Sequence, residues 1–143
     1  PLAQAYPMTA PLLSVRDLSV TFDVRRPGAW PWTPPRKLHA VSEISLDLAA
    51  GECLGVVGES GSGKSTLARA LIGTVPATGG SNRFDGQDLM TMEPGARRAH
   101  RRNVQMVFQD PLAALNPRMP VGDIIAEPLV THQPGLSRSE ARR

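Results

Sequence analysis

A chain of 143 residues and 15.3 kDa has room for about one domain of ordinary size, which excludes a large multidomain machine. Hydrophobic residues at 41% against 20% charged, with 16 Lys+Arg facing 13 Asp+Glu, describe a chain that buries a core and exclude a disordered polyelectrolyte. Aromatic residues reach only 4%, so the core rests on Val, Leu, Ile and Ala, and a base-stacking nucleic-acid platform is disfavoured.

Pro1–Pro11 carries neither a basic n-region nor a sustained apolar h-region, so it reads as a disordered segment ahead of a domain over 12–143. From Leu12 to Val24, LLSVRDLSVTFDV spaces Val, Leu and Phe mostly two apart and predicts a half-buried strand. Residues 26–36, RPGAWPWTPPR, hold four prolines and both tryptophans, which predicts an exposed loop. Leu38–Leu48 alternates again, so the two runs are expected to pair as an antiparallel hairpin with the proline-rich segment at its tip. After the turn at Ala50-Gly51, ECLGVV over Glu52–Val57 is almost continuously apolar, the pattern of a strand buried on both faces of a parallel sheet. Cys53 reads there as a small core residue; as the only cysteine it has no intramolecular disulfide partner, which fits a reducing, cytosolic compartment.

KSTLARALI over Lys64–Ile72 predicts a helix stopped by Gly73 and Pro76. Residues 79–90 predict a short strand and a turn at Asp85-Gly86, with Asn82 standing where an apolar residue is expected. Pro94 opens a second helix leading into ARRAHRR, and Val104–Phe108 predicts another short apolar strand. Residues 110–120 read as a loop, and Val121–Val130 as a helix that Pro128 obstructs. Ser137 and Glu140 have the spacing of a capping box for a helix starting at residue 138, only a few residues before Arg143. A helix that short is marginal alone, so the sequence reads as part of a longer chain. No stretch approaches the roughly 20 apolar residues of a membrane-spanning helix.

Chemistry concentrates in Gly58–Ser65, GESGSGKS, which matches G-x-x-x-x-G-K-[ST] at every specified position and lies between an expected strand and an expected helix. Gly58, Gly61 and Gly63 allow positive φ and a close backbone approach, so successive N–H groups can turn inward around an anion, with Ser60 and Ser62 completing the cradle. The following helix contributes about half a positive charge at its N-terminus, and Lys64 a whole one directed at the β- and γ-phosphates. Ser65 offers a hydroxyl ligand to Mg²⁺, and Thr66 a further phosphate hydrogen bond.

GESGSGKST, together with VFQDPLAALNPRMPVGDIIAEPL over Val107–Leu129, resembles the ATP-binding subunits of ABC transporters, in the branch serving oligopeptide and dipeptide importers. The resemblance covers residues 12–143 and implies an α/β fold with a P-loop NTPase core and an antiparallel β subdomain, ending before the signature motif. It implies Gln109 as the Q-loop glutamine near Mg²⁺ and the attacking water, acting with Lys64 in catalysis. It implies Phe22 as the aromatic that stacks on adenine; Phe22 as a core side chain, and Trp30 or Trp32 as the cover for the base, are the other readings. The implied cofactors are ATP and Mg²⁺. The implied partners are transmembrane permease subunits facing residues 109–130 and a second ATP-binding subunit, with no specific nucleic acid, at the cytoplasmic face of the inner membrane.

No LSGGQ-like signature, strand ending in Asp-Glu, or switch histidine occurs in the 143 residues; Arg138 follows Leu136-Ser137 where the signature has glycine. The implied function is to couple Mg-ATP binding and hydrolysis to peptide uptake; a non-catalytic ATP-binding fragment, or a subunit for nickel or glutathione, is the alternative. Arg97, Arg98, Arg101 and Arg102 recur at i, i+4 spacing and are expected to form a solvated basic face. His39, His100 and His132 lack the spacing of metal ligands.

Overall fold

The structure, a computed structural model, describes residues 10–28, 30, 32–110, 112, 114–133 and 135–141. The disorder expected of 1–11 falls almost entirely outside them. Two compact units divide the chain, the first ending at Arg97 and the second beginning at Arg98.

The first unit is built on β1 (Leu13–Val24) and β2 (Arg36–Leu48), the expected hairpin, with Leu13 opposite Leu48 at its base and Val24 opposite Arg36 towards its tip. With β3 (Gly79–Phe84) and β4 (Gln87–Asp88) they form an antiparallel sheet of order β2-β1-β3-β4. Val15, Leu18 and Val20 are fully buried, yet Val15 and Leu18 are three residues apart and would face opposite sides of a regular strand. A register shift between them, with Asp17 at φ 49°, turns both to the core. β2 carries a residue of the same kind, Glu43 at φ 50°. Serines on the facing strands take up the backbone there: the Asp17 amide donates to Ser45 Oγ at 2.9 Å and the Glu43 amide to Ser19 Oγ at 3.0 Å. Alongside, Arg16 donates to both carboxylate oxygens of Asp47 at 2.8 and 2.6 Å. Those hydrogen bonds hold the Asp47 carboxyl below the usual carboxylate range and raise Arg16 in turn.

Helix α1 (Lys64–Leu71) lays Leu67 and Ala70 against Val15, Leu18, Val20 and Val41. It stops where the sequence places glycine: Gly73, at φ 71°, donates to the Ala70 carbonyl at 3.0 Å. Asn82 explains itself here. Buried on β3, its Nδ2 donates to the Ala70 and Leu71 carbonyls at 3.2 and 2.9 Å, adding a second donor to Ala70 beside the Gly73 amide and supplying Leu71 with one that an apolar side chain would not. Asp85 and Gly86, at φ 49° and 75°, make the two-residue turn into β4.

The remaining helices are α2 (Pro94–His100), α3 (Val121–His132) and α4 (Arg138–Ala141). The solvated basic face fails at Arg97, whose half-buried guanidinium donates to the Met92 carbonyl at 3.2 Å. Helix α3 continues through Pro128 instead of stopping there; Pro128 is exposed, and the one helical bond it removes leaves a carbonyl that water can serve. The capping box forms: the Ser137 amide donates to Glu140 Oε2 at 2.9 Å and the Glu140 amide to Ser137 Oγ at 3.3 Å.

Two expected strands do not form. Glu52–Val57 and Val104–Phe108 have no regular structure, with Val57 97% and Val107 90% exposed, and Cys53 is exposed rather than a core residue. A strand buried on both faces needs paired neighbours and covering layers, and among the described residues no strand pairs with either segment.

Candidate functional site

The Gly58–Ser65 loop leads directly into α1, and its glycines do different work. Gly63, the N-cap of α1, lies at φ 94°, and a Cβ there would overlap the backbone carbonyl oxygen of Ala40 on β2. Gly61 also takes a positive φ, 83°, but in open space. A Cβ on Gly58 would stand 2.8 Å from Ser62 Oγ, so the loop's interior closes if Gly58 gains a side chain.

Helix α1 has no side-chain N-cap hydrogen bond and no acid in its first turn. Its first backbone bond is made by the Leu67 amide to the Gly63 carbonyl at 2.8 Å, so the amides of Lys64, Ser65 and Thr66 precede the helical ladder. Lys64 Nζ donates to the Gly58 and Glu59 carbonyls at 2.7 and 2.6 Å and to Ser62 Oγ at 3.3 Å. Backbone oxygens thus hold the ammonium across the loop, and among the described residues no carboxylate forms an ion pair with it. A cation, a helix N-terminus and amides ahead of the ladder converge on one exposed loop, which suits an anion bearing several oxygens.

The other expected residues lie as follows. Ser60 and Ser62 are exposed in the loop; Ser65 is exposed and Thr66 half-buried in the first turn of α1. Phe22, 38% exposed on β1 opposite Leu38, is not among the buried core side chains. Gln109 is exposed at a bend of the second unit, after the segment expected as a strand. Trp30 and Trp32 stack on each other, with centroids 5.0 Å apart and planes 21° from parallel. Sequence reasoning missed Ala40, which acts only through its carbonyl; no side-chain property announces that Gly63 must pass so close to it.

A glycine-rich loop that opens a helix and holds its own lysine across it defines the P-loop class. Residues 41–142 match the ABC transporter family model, and the chain belongs to that family. It is 54% identical over 131 residues to the oligopeptide transport ATP-binding protein OppF of Escherichia coli K12, covering 92% of this chain and 39% of the relative. It has the same identity and coverage with OppF of Salmonella typhimurium. To the glutathione import ATP-binding protein GsiA of E. coli K12 it is 48% identical over 122 residues, covering 85% of this chain and 19% of that one. The chain therefore spans about two-fifths of the length of its OppF relatives. A bacterial ABC transporter cassette solved as a dimer superposes with a TM-score of 0.71 at 23% identity, over 91% of this chain and 52% of the cassette. That likeness shows the fold: an α/β ABC-type cassette, of which this chain holds the antiparallel β subdomain and the phosphate loop.

Proposed function

We propose that this chain is the nucleotide-binding part of an ABC importer ATPase that couples Mg-ATP binding and hydrolysis to the uptake of oligopeptides or dipeptides. The observation that carries the reading is the Gly58–Ser65 loop, with Lys64 held across it by carbonyls 2.6 and 2.7 Å away and the first-turn amides of α1 uncapped. A triphosphate tail supplies the oxygens such a loop lacks: the amides of Gly61, Gly63, Lys64, Ser65 and Thr66 would donate to it, with Ser60 and Ser62 at the rim. Lys64 would exchange its carbonyl partners for the β- and γ-phosphates. Mg²⁺ takes oxygen ligands in near-octahedral geometry; the Ser65 hydroxyl would supply one, and the family resemblance implies the Gln109 amide oxygen as another. Gln109 and Lys64 then carry the catalytic roles, orienting water and stabilising phosphoryl charge. Phe22, 38% exposed on β1, is assigned to the adenine.

The importer reading is supported by the OppF relatives, and the partners follow from it: permease subunits and a second ATP-binding subunit, on the cytoplasmic face of the inner membrane, peripherally. A groove of about 210 Å³, lined by Met119, Asp123, Ala126, Glu127, Val130 and Thr131, lies on the segment assigned to permease docking. A glutathione importer subunit is the second reading, favoured by the GsiA relative. Calorimetric titration of the chain with Mg-ATP tests the central claim. Saturable heat that disappears in a folded Lys64→Ala variant is expected; heat that is absent, or unchanged in that variant, refutes it.

A further inference from the structure

The tip of the β1–β2 hairpin is left unused by the nucleotide reading. Trp30 and Trp32 are the only tryptophans, and they are 68% and 76% exposed while stacked on each other. Water-exposed indole area of this kind is costly. The Thr33 amide donates to the Trp30 carbonyl at 2.9 Å, closing a turn at the apex, and the prolines of the segment limit the backbone freedom around it.

The charge around the pair is one-sided. Between Asp23 and Glu43 the sequence has four cations, Arg25, Arg26, Arg36 and Lys37, and no acid. All four are exposed. Of 16 basic and 13 acidic residues these four are basic, so the rest of the chain carries one more acid than base, and the net +3 comes from this tip. Asp23 lies opposite Lys37 in the ladder, which leaves three arginines with no acid at their level, and among the described residues none of the four forms an ion pair.

We propose that this hairpin tip is a contact for an anionic phospholipid surface, with Trp30 and Trp32 seated at headgroup depth and Arg25, Arg26, Arg36 and Lys37 paired with lipid phosphates around them. Indoles favour the boundary between water and hydrocarbon, and arginines next to them place charge in the headgroup layer while their stems remain on apolar surface. The feature sits at the end of a hairpin, so it meets a broad surface more readily than it encloses a small molecule. A nucleic-acid strand would stack its bases on separate open rings, whereas these two rings occupy each other's faces. The inference does not depend on nucleotide binding.

Because both tryptophans of the chain lie in the tip, tryptophan emission, excited selectively so that Tyr6 stays silent, reports on it alone. The test adds the 143-residue chain to vesicles of phosphatidylcholine, and to vesicles of phosphatidylcholine and phosphatidylglycerol in equal parts. A blue-shifted emission, quenched by brominated acyl chains, is expected only with the anionic vesicles and should fade as salt is raised. Arg25→Ala with Arg26→Ala should lower the partition coefficient on the order of thirtyfold, from a little over fivefold for each cation. Trp30→Ala with Trp32→Ala should reduce co-sedimentation while leaving the β1 and β2 amides protected. Binding without an emission shift would mean that the exposed apolar segments, not the tip, touch lipid, and would overturn the proposal. So would an equal shift on neutral vesicles, or a shift produced by a single-stranded oligonucleotide and not by anionic vesicles.

Discussion

Replacing Gly63 and Gly61 separately with alanine distinguishes two reasons why a phosphate loop contains glycine. Both residues have positive φ, 94° and 83°, so either alanine takes on a left-handed backbone at a cost of about 1–2 kcal/mol. The reduced freedom of the unfolded chain returns about 0.4–1 kcal/mol of that. Only at Gly63 does the new Cβ meet another atom, the Ala40 carbonyl oxygen, and because that atom is backbone no rotamer can relieve the overlap. Either β2 or the start of α1 must shift, adding about 1–3 kcal/mol. The assay is native-state hydrogen exchange at the β1 amides, which reports the first unit without assuming that the whole chain unfolds as one. With about 1.4 kcal/mol per factor of ten, Gly63→Ala should lose roughly 5- to 140-fold more protection than Gly61→Ala. Equal losses would show that the close approach of loop and β2 is not what selects glycine at 63.

Asn82→Leu should destabilise the end of α1 by about 1–3 kcal/mol, chiefly through the Leu71 carbonyl it strips of a donor while Ala70 keeps that of Gly73, read as lost protection in α1. Part of that is recovered because Asn82 Oδ1 is itself buried without a partner among the described residues, so a larger loss is expected from Asn82→Asp, which sets a carboxylate against those carbonyls. Asp47 titrates below its ordinary value when folded, because of its hydrogen bonds from Arg16 and then Ser14. Its contribution is therefore present above an unfolded pKa of about 3.9 and lost as pH falls through the folded value. Acid titration of hairpin protection should show this dependence in the wild type and lose it in Asp47→Asn. Glu140, lowered by hydrogen bonds from the Ser137 hydroxyl and amide, follows the same sign, so α4 should fray on acidification. Ser137→Ala should remove about 1 kcal/mol of helix capping, seen in amide chemical shifts of 138–141 with α3 unmoved.

What the sequence made legible was local. The hairpin followed from two alternating runs around a proline-rich tip, α1 from an apolar stripe closed by Gly73, the β3–β4 turn from Asp85-Gly86, and α4 from Ser137 and Glu140. In each case the residues that specify the element also make its decisive bonds. Asn82 misled for the opposite reason: its partners, the Ala70 and Leu71 carbonyls, are backbone atoms 12 and 11 residues away and leave no mark in the side-chain pattern. The bulges at Asp17 and Glu43 were likewise hidden, although the three-residue gap between Val15 and Leu18 was a usable signal that the strand cannot be regular there.

The contrast between Glu52–Val57 and the loop that follows it separates two kinds of sequence information. An apolar run states that a strand would be stable if paired; the pairing itself must come from other segments, and in its absence Val57 is left almost fully exposed. The glycines, Lys64 and the start of α1 need no such help: Lys64 bonds within six residues of itself, Leu67 bonds to Gly63, and α1 is anchored by Leu67 and Ala70 on the hairpin core. The packing of Leu67 and Ala70 and the close approach of Gly63 to Ala40 reach outside this stretch, and both reach the hairpin rather than the segment expected as a strand. The phosphate loop is therefore held from its helical side. Supplying a neighbour to Glu52–Val57 should order that segment while leaving the Lys64 bonds and the φ angles of Gly61 and Gly63 as they are.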